Sequence, residues 1–186
     1  PNRLCINGMS YAKRDSGIAN SALIVTVNET DFGTDLFAGV KFQRALEEKA
    51  YYLGKGLIPI ETYGDYKDNK RPQSLGNLEP KIKGRYNIAD LNELLPNNLN
   101  IALKEGIASF DKKIKGFADN NALLCGIEAR TSSPIRIIRN ENYESNITGI
   151  YPCGEGAGYA GGITSAAIDG LKVSEAIMNK FKPLEK

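Results

Sequence analysis

The sequence contains no histidine, and this absence excludes several kinds of catalytic site. A Ser-His-Asp triad, an HExxH zinc site and an imidazole general base all require at least one histidine. None of these sites can be built within this chain, and no other pattern in it indicates a metal site.

Cysteine is also scarce. The three cysteines, Cys5, Cys125 and Cys153, are widely spaced, and none belongs to a C-x-x-C pair. Because a disulfide framework normally uses an even number of cysteines, this set favours a reduced cytosolic protein. We expect Cys153 to be a small buried residue, since a redox role would need a partner thiol.

Long apolar runs and a strong excess of charge of one sign are missing as well. The longest strongly apolar stretch, residues 22–27, is far shorter than the ~20 residues that span a bilayer. The formal net charge of +2 is too small to predict a nucleic-acid partner. No charged-then-apolar leader is seen, so we expect a soluble, cytoplasmic protein without membrane or nucleic-acid partners.

What is present is typical of a mixed α/β chain with the size of one domain, or of a domain with a small companion. Hydrophobic periodicity predicts helices at residues 35–53 (closed by Gly54 or Gly56), 88–95, 99–110 and 163–181. Apolar and β-branched runs predict strands at residues 23–27, 123–130, 135–139 and 147–152.

Residues 63–86 show little periodicity and many Gly, Pro, Asn and Asp residues. An irregular stretch of this length in a compact domain is either a functional loop or a mobile one. We predict a solvated surface loop. Because basic residues outnumber acidic ones from Lys67 to Arg85, docking of an anionic partner is the alternative.

The densest glycine cluster is GEGAGYAGGITSAAIDG, residues 154–170, which contains G-x-G-x-x-G at Gly156, Gly158 and Gly161. A dinucleotide fingerprint needs a second strand after its helix and an acidic residue ~20 positions further on. The stretch after Gly161 is too short for both. The cluster is therefore not the start of a Rossmann unit, although a terminal strand-turn-helix can still bind a nucleotide.

Two features of this cluster suit a nucleotide. The carboxylate of Glu155, directly after the predicted strand, can accept hydrogen bonds from sugar or ribityl hydroxyls. The Gly161-Gly162 pair leaves the first N–H groups of the next helix bare for a phosphate or an electron-rich ring edge. The alternative is a glycine-rich turn with a tightly packed helix and no ligand.

Two long stretches near the C-terminus are distinctive: GIEARTSSPIRI and GIYPCGEGAGYAGGITSAAIDGLKVSEAI. Both closely resemble the C-terminal part of the uncharacterised FAD-dependent (NAD/FAD-utilising) dehydrogenases, within the two-dinucleotide-binding flavoproteins. Three earlier stretches are also similar to that family, INGMSYAKRDSGIANSALIVTV, LFAGVKFQRALEEKA and FDKKIKGFADNNALLCGIEARTSSPIRI. The resemblance therefore spans nearly the whole chain.

The resemblance implies a split architecture. Residues 1–133 would mostly form an inserted substrate or cap-type domain, and residues 134–186 would be the C-terminal strand-turn-helix of a Rossmann-like FAD-binding domain. The family's N-terminal FAD fingerprint is absent here, and the chain begins at Pro1. We therefore expect a piece of a longer flavoprotein that binds FAD weakly or not at all on its own.

The resemblance also implies which residues touch the cofactor. Gly154, Glu155 and Gly156 would take the Gly-acid turn beside the ribityl or ribose-phosphate region. Gly161, Gly162 and Ile163 would lie under the pyrimidine edge of the flavin, where a helix N-terminus stabilises negative charge. Arg130 and Thr131 would lie near the flavin or substrate pocket, with a surface ion pair and a hydroxyl-rich turn as the alternative. Tyr159 is a further candidate for the pocket lining.

The function implied is that of an FAD-dependent oxidoreductase, a dehydrogenase that moves electrons between a small-molecule substrate and FAD. Participation of NAD(P) stays open, and we expect the isolated chain to be inactive. The alternative is a non-catalytic binding or interaction module that kept the flavoprotein fold.

Overall fold

The computed structural model describes residues 2–8 and 11–181. Its helices are α1 (Glu29–Phe32), α2 (Ala38–Leu53), α3 (Tyr63–Lys67), α4 (Asn97–Asp111) and α5 (Ile163–Lys180), with a 3₁₀ turn at Leu91–Glu93. Its strands are β1 (Ile58–Thr62), β2 (Tyr86–Ile88) and β3 (Leu123–Cys125). Helices and strands thus occur together, which confirms the predicted mixed α/β class.

The chain separates into two compact units. Unit 1 comprises the described residues up to 31 together with residues 42–129, and unit 2 comprises residues 32–41 together with the described residues from 130 onward. The predicted domains, residues 1–133 and 134–186, stay a prediction. Pro1, Met9, Ser10 and residues 182–186 fall within those ranges and lie outside the described residues.

Unit 1 contains a three-stranded sheet in the order β2-β1-β3. Strand β1 runs parallel to β2, with Ile58 opposite Tyr86, and antiparallel to β3, with Ile60 opposite Cys125. Pro59 lies in this central strand although it has no N–H to donate. Its carbonyl still accepts a hydrogen bond from the Gly126 N–H at 3.2 Å, so the ladder to β3 continues past the proline.

Helix α2 confirms the helix predicted at residues 35–53, but it begins three residues later. The Ala38 N–H donates to the Asp35 carbonyl at 2.9 Å, so residues 35–37 form a turn that leads into the helix. After the helix, Lys55 and Gly56 adopt φ values of +53° and +80°, and the Gly56 N–H donates to the Tyr51 carbonyl at 2.8 Å. This left-handed conformation closes the helix as predicted.

Helix α4 confirms the helix predicted at residues 99–110 and extends it at both ends. Its buried Leu99 and Ile107 face the hydrophobic core of unit 1. The most buried members of this core are Ala50, Tyr63, Tyr66, Leu91, Leu94 and Ile107.

Helix α5 likewise confirms the predicted helix at residues 163–181. No helix within residues 2–8 and 11–181 is long and apolar enough to cross a membrane.

The predicted helix at residues 88–95 is wrong. Its first residue ends β2, and Asp90 then caps a single 3₁₀ turn by accepting a hydrogen bond from the Asn92 N–H at 3.0 Å. The Leu91 N–H donates to the side chain of Glu61 at 2.6 Å, so this amide is held by the sheet. Such local polar contacts compete with helix formation.

Most of the predicted strands are not formed in the described structure, because a strand needs a hydrogen-bonded neighbour. Of residues 123–130, only Leu123–Cys125 are assigned to a strand. Residues 23–27 and 147–152 form no ladder in the described part, and residues 135–139 contribute one isolated bridge, Arg139 with Ser145. The predicted loop at residues 63–86 is irregular from 68 to 85, but it begins with α3 and ends in β2.

A buried carboxyl group lies at the centre of the unit 1 sheet. Glu61 of β1 is fully buried; its Oε1 accepts from the Leu91 N–H, and its Oε2 has no hydrogen-bond partner in the described structure. Burial is the main cause that raises the pKa of Glu61 to about 8. The nearby carboxylates of Asp90 and Asp65 contribute to this rise, and the Leu91 hydrogen bond opposes it. Glu61 is therefore mostly protonated at neutral pH.

We predict that Glu61 makes the protein less stable as pH rises. The folded-state pKa of about 8 exceeds the ordinary 4.5, so the folded state holds a proton that the unfolded chain releases between these values. The free energy of unfolding should fall by roughly 2–4 kcal/mol between pH 4.5 and pH 8. Urea denaturation of the wild type and of Glu61→Gln at pH 5 and pH 8.5 tests this, because glutamine keeps the acceptor for Leu91 but cannot ionise.

Glu105→Gln provides the matched control, since Glu105 is exposed on α4. It should keep the pH dependence of the wild type. An equally steep pH dependence in Glu61→Gln would show that the buried carboxyl is not its source.

Candidate functional site

The glycine turn, residues 154–162, is built from backbone contacts within unit 2. Gly154 and Gly158 adopt φ values of +70° and +82°, which residues other than glycine rarely adopt. The Gly158 N–H donates to the Glu155 carbonyl at 2.9 Å, and the Tyr159 N–H donates to the Gly154 carbonyl at 3.0 Å. These bonds close the first half of the turn on itself.

Gly158 is required by packing. A Cβ atom at this position would lie 2.6 Å from the Ile135 carbonyl oxygen and 3.0 Å from the Arg136 Cα. The Arg136 Nε also donates to the Gly158 carbonyl at 2.9 Å, which holds the two backbone segments together. The middle glycine of the G-x-G-x-x-G pattern is therefore explained by the fold, independently of any ligand.

An ion pair fastens the start of the turn to helix α5. Asp169 accepts hydrogen bonds from the two terminal guanidinium nitrogens of Arg139, Nη1 and Nη2, at 3.0 and 2.6 Å. It also accepts one from the Gly154 N–H at 2.9 Å. Arg139 also donates to the Pro152 carbonyl at 2.8 Å. The two side chains are only 10% and 12% exposed. The Arg139 hydrogen bond lowers the pKa of Asp169 to about 2, with the Gly154 N–H adding to the effect.

Two tyrosines cover the same guanidinium group. The Arg139 side chain lies 3.5 Å from the ring centroid of Tyr159 and 4.7 Å from that of Tyr143. The Tyr159 hydroxyl donates to the Ile137 carbonyl at 3.0 Å. Tyr159, which the sequence made a candidate for the pocket lining, therefore has a packing role in this structure, since its ring and hydroxyl both contact unit 2.

The opposite side of the glycine turn is exposed. The exposed residues are Glu155, Gly156, Gly161, Gly162 and Ile163, and Ile163 is 94% exposed. Cys153, just before the turn, is exposed too, so the prediction that it is buried is wrong. Within the described part of the chain, the Glu155 carboxylate has no hydrogen-bond or ion-pair partner.

Helix α5 begins at this exposed side. The Gly162 N–H donates to Ser165 Oγ at 3.2 Å, so the serine caps the helix without covering its first amides. The N–H groups of Ile163 and Thr164 have no acceptor in the described structure. A carboxylate acceptor and helix amide donors thus occur on one exposed stretch.

A hydroxyl-rich turn lies against the glycine turn. Ser133 Oγ is 3.3 Å from the Gly156 carbonyl oxygen and 2.8 Å from that of Ile135. A Cβ at Gly161 would lie 3.3 Å from Ser132 Oγ. The structure therefore brings the segment that follows Arg130 and Thr131 next to the predicted turn. Arg130 itself is exposed and Thr131 is half-buried.

The strand predicted before the turn is not formed, which corrects the predicted strand-turn-helix. In residues 147–152, the Ile150 N–H donates to the Ile147 carbonyl, and the Ile150 carbonyl accepts from the Ser145 N–H. These are local turn contacts. Ile147 and Ile150 are 59% and 48% exposed, and this segment has no ladder neighbour in the described structure.

Sequence reasoning missed Arg139 and Asp169, the two residues that hold the turn. They are separated by 30 positions, and no motif spacing relates them. One signal was available, because Asp169 is the single acidic residue in the otherwise small and apolar run from Ile163 to Leu171. A lone carboxylate on the buried side of such a helix needs a cationic or N–H partner.

Comparison with known proteins identifies the family. Residues 1–131 match the family described as FAD-dependent protein, C-terminal domain-like. This match covers more than half of the chain, so the chain belongs to that family. The family match ends at Thr131, before the glycine turn.

A Clostridium beijerinckii protein, described as uncharacterized, is 50% identical over 183 residues, which is 96% of this chain and 34% of that protein. The chain therefore spans about a third of this relative's length. These findings confirm two expectations: the chain belongs to an FAD-dependent family, and it corresponds to the C-terminal portion of that family's proteins. They support a flavoprotein-related function.

The exposed groups of unit 2 are chemically suited to part of FAD. The unpartnered carboxylate of Glu155 matches hydroxyl donors, and the bare amides of α5 match an anionic or electron-rich acceptor. Gly161 and Gly162 carry no side chains that would keep a ligand away from the backbone. None of these positions is buried, so they would form one side of a cofactor site.

We predict that Gly158→Ala destabilises the protein by at least ~2 kcal/mol, because the new Cβ meets backbone atoms and the positive φ is strained. Gly170→Ala is the matched control: a Cβ at Gly170 in α5 has no neighbour within 4 Å. It should be neutral or stabilising by ~0.5–1 kcal/mol. Thermal or urea unfolding measures both, and equal stability of the two variants would contradict the assigned packing role.

We also predict that Asp169→Asn lowers the free energy of unfolding by about 2 kcal/mol at pH 7. The folded-state pKa of about 2 lies below the ordinary 3.8, so this stability is present above pH 3.8 and is lost as pH falls toward 2. Urea denaturation at pH 7 and pH 2.5 should show that the variant and the wild type converge in acid. Glu175→Gln, at an exposed position of α5, should change nothing, and a constant difference for Asp169→Asn would argue against the ion pair.

Proposed function

We propose that this chain is part of an FAD-dependent oxidoreductase, a dehydrogenase in which the exposed side of the glycine turn and the start of α5 contact the flavin. The main support for the proposal is one observation. The Glu155 carboxylate and the amides of Ile163 and Thr164 are exposed on the same stretch and have no partner in the described structure. Family membership makes FAD the ligand to test.

In this proposal each residue has a defined task. Glu155 accepts hydrogen bonds from ribityl or ribose hydroxyls, and Gly154 and Gly156 shape the turn that presents it. Gly161 and Gly162 allow the backbone to approach the pyrimidine edge of the flavin. The amide of Ile163, at the positive end of the α5 dipole, stabilises negative charge on that edge.

Arg130 and Thr131 are assigned to the flavin or substrate pocket. The contacts of Ser132 and Ser133 with the glycine turn support this assignment, because they hold the whole segment close to the turn. The guanidinium of Arg130 suits a phosphate or a substrate carboxylate. FAD, when bound, supplies the electron-transfer chemistry, and the protein contributes binding and orientation.

The proposed activity belongs to a longer polypeptide. The chain spans about a third of its Clostridium relative, and the exposed groups account for one side of a cofactor site. We therefore propose that residues outside this chain hold the adenosine and pyrophosphate groups, and that the chain alone binds FAD weakly or not at all. The family description names FAD and no nicotinamide, so the proposal is restricted to FAD. The substrate would be a small molecule.

Flavin occupancy tests the proposal. The visible absorption spectrum should show bound flavin when these 186 residues are part of a polypeptide of the relative's full length. Glu155→Ala should weaken FAD binding about 10- to 100-fold, because it removes a charged acceptor. Gly162→Val should weaken it similarly by placing a branched side chain at the start of α5.

Glu175→Ala, on an exposed position of α5, is the control and should leave occupancy unchanged. Unaltered occupancy in both Glu155→Ala and Gly162→Val would overturn the site assignment. A long polypeptide that stays colourless after incubation with FAD would favour a non-catalytic binding module instead.

A further inference from the structure

One segment of unit 1 has the side-chain pattern of a β-strand but no strand beside it. In residues 21–27, SALIVTV, exposure alternates: Leu23, Val25 and Val27 are half-buried, whereas Ile24 and Thr26 are exposed. A period of two is the pattern of a strand with one covered face. The run from Ile24 to Val27 consists entirely of β-branched residues, which favour strands.

The segment is held against the body of unit 1. Leu23, Ile24 and Val25 line a shallow apolar groove together with residues of α4, and Leu23 also packs against the hydrophobic core. The α4 residues in the groove are Ala102, Leu103, Gly106, Ile107 and Phe110. One face of the segment is therefore already packed, and its backbone edges are what lack a neighbour.

The backbone of this segment is entirely unpaired in the described structure. No N–H or carbonyl group from Ser21 to Val27 takes part in a hydrogen bond. Folded proteins pair the great majority of such groups, and they protect exposed strand edges with charges or prolines. Residues 21–27 contain neither a charged residue nor a proline. Ile24 is also 69% exposed. A strand edge that lacks such protection and carries an exposed apolar side chain is suited to pairing with another strand.

We propose that residues 21–27 form a β-strand that pairs with a strand from the part of a longer polypeptide that lies outside these 186 residues. The Clostridium relative supplies the argument for this partner, since two thirds of its length lie outside the region that matches this chain. A strand on the same polypeptide acts at a high effective concentration, so it outcompetes a second copy of the chain. The proposal does not depend on flavin binding.

Hydrogen exchange of the backbone amides tests the pairing. In the 186-residue chain alone, the amides of residues 22–27 should exchange at nearly the rate of an unstructured peptide. Within a polypeptide of the relative's full length, those that face the partner strand should exchange at least about 100-fold more slowly. The amides of Asn77 and Leu78, in the irregular stretch of unit 1, serve as an internal control that stays unprotected.

Two results would overturn the proposal. Fast exchange throughout residues 22–27 in the long polypeptide would show that no strand pairs there. Protection that is present in the short chain and rises with its concentration would identify a second copy as the partner.

A substitution separates pairing from folding. Ile24→Asp, in the long polypeptide, should remove most of the protection at residues 22–27 and leave the amides of α4 protected. Leu78→Asp, at another exposed apolar position of unit 1, is the matched control and should leave both regions unchanged. If Ile24→Asp unfolded the protein, α4 would lose protection too, and the wild-type comparison between short and long chains would still decide the question. Undiminished protection in a folded Ile24→Asp variant would argue against the pairing.

Discussion

The candidate site depends on the ion pair between Asp169 and Arg139. Asp169 is on α5, and its carboxylate receives both the guanidinium and the Gly154 N–H, so one side chain fixes the start of the turn to the helix. The pair is nearly buried, and a buried charge is tolerated only when its hydrogen bonds are satisfied. The ring of Tyr159 and the carbonyl of Pro152 complete that environment around Arg139. Through these contacts the ion pair determines where Glu155 is presented to solvent.

This arrangement divides the glycine turn into two chemically different sides. On the inner side, Gly158 and the Arg139–Asp169 pair contact other protein groups, so substitutions there should lower the free energy of unfolding. On the outer side, Glu155 and the first amides of α5 have no partner in the described structure, and changing them should cost little stability. A variant that alters flavin affinity without altering stability therefore reports on the outer side. The same distinction explains why the G-x-G-x-x-G pattern is an ambiguous signal, since its middle glycine is already required by the fold.

The sequence predicted the helices well and the strands poorly, and the reason is physical. The apolar periodicity of α2, α4 and α5 is contained within each helix, so it can be read locally. A strand depends on a neighbour distant in sequence: β1 pairs with β2 and β3, and Pro59 makes it look unlike a central strand. Residues 23–27 have a strand-like composition without such a neighbour. The exposed half of the candidate site could be predicted from its glycines and from Glu155. The Arg139–Asp169 pair could not, because the two residues are too far apart in the sequence for any local pattern to relate them.

Polar groups at three of the places where the described structure leaves them without a partner differ in their surroundings, which determine what each group can accept. The Oε2 of Glu61 is enclosed in the core of unit 1, where protonation removes the cost of an unpaired charge and no ligand is needed. The Glu155 carboxylate and the α5 amides are exposed, few and of mixed polarity, which suits a small polar molecule. Residues 21–27 instead offer a continuous row of backbone donors and acceptors with apolar side chains between them, a surface that only another extended polypeptide can match. The chain thus carries two open surfaces of different chemistry, one suited to a cofactor and one to a polypeptide strand.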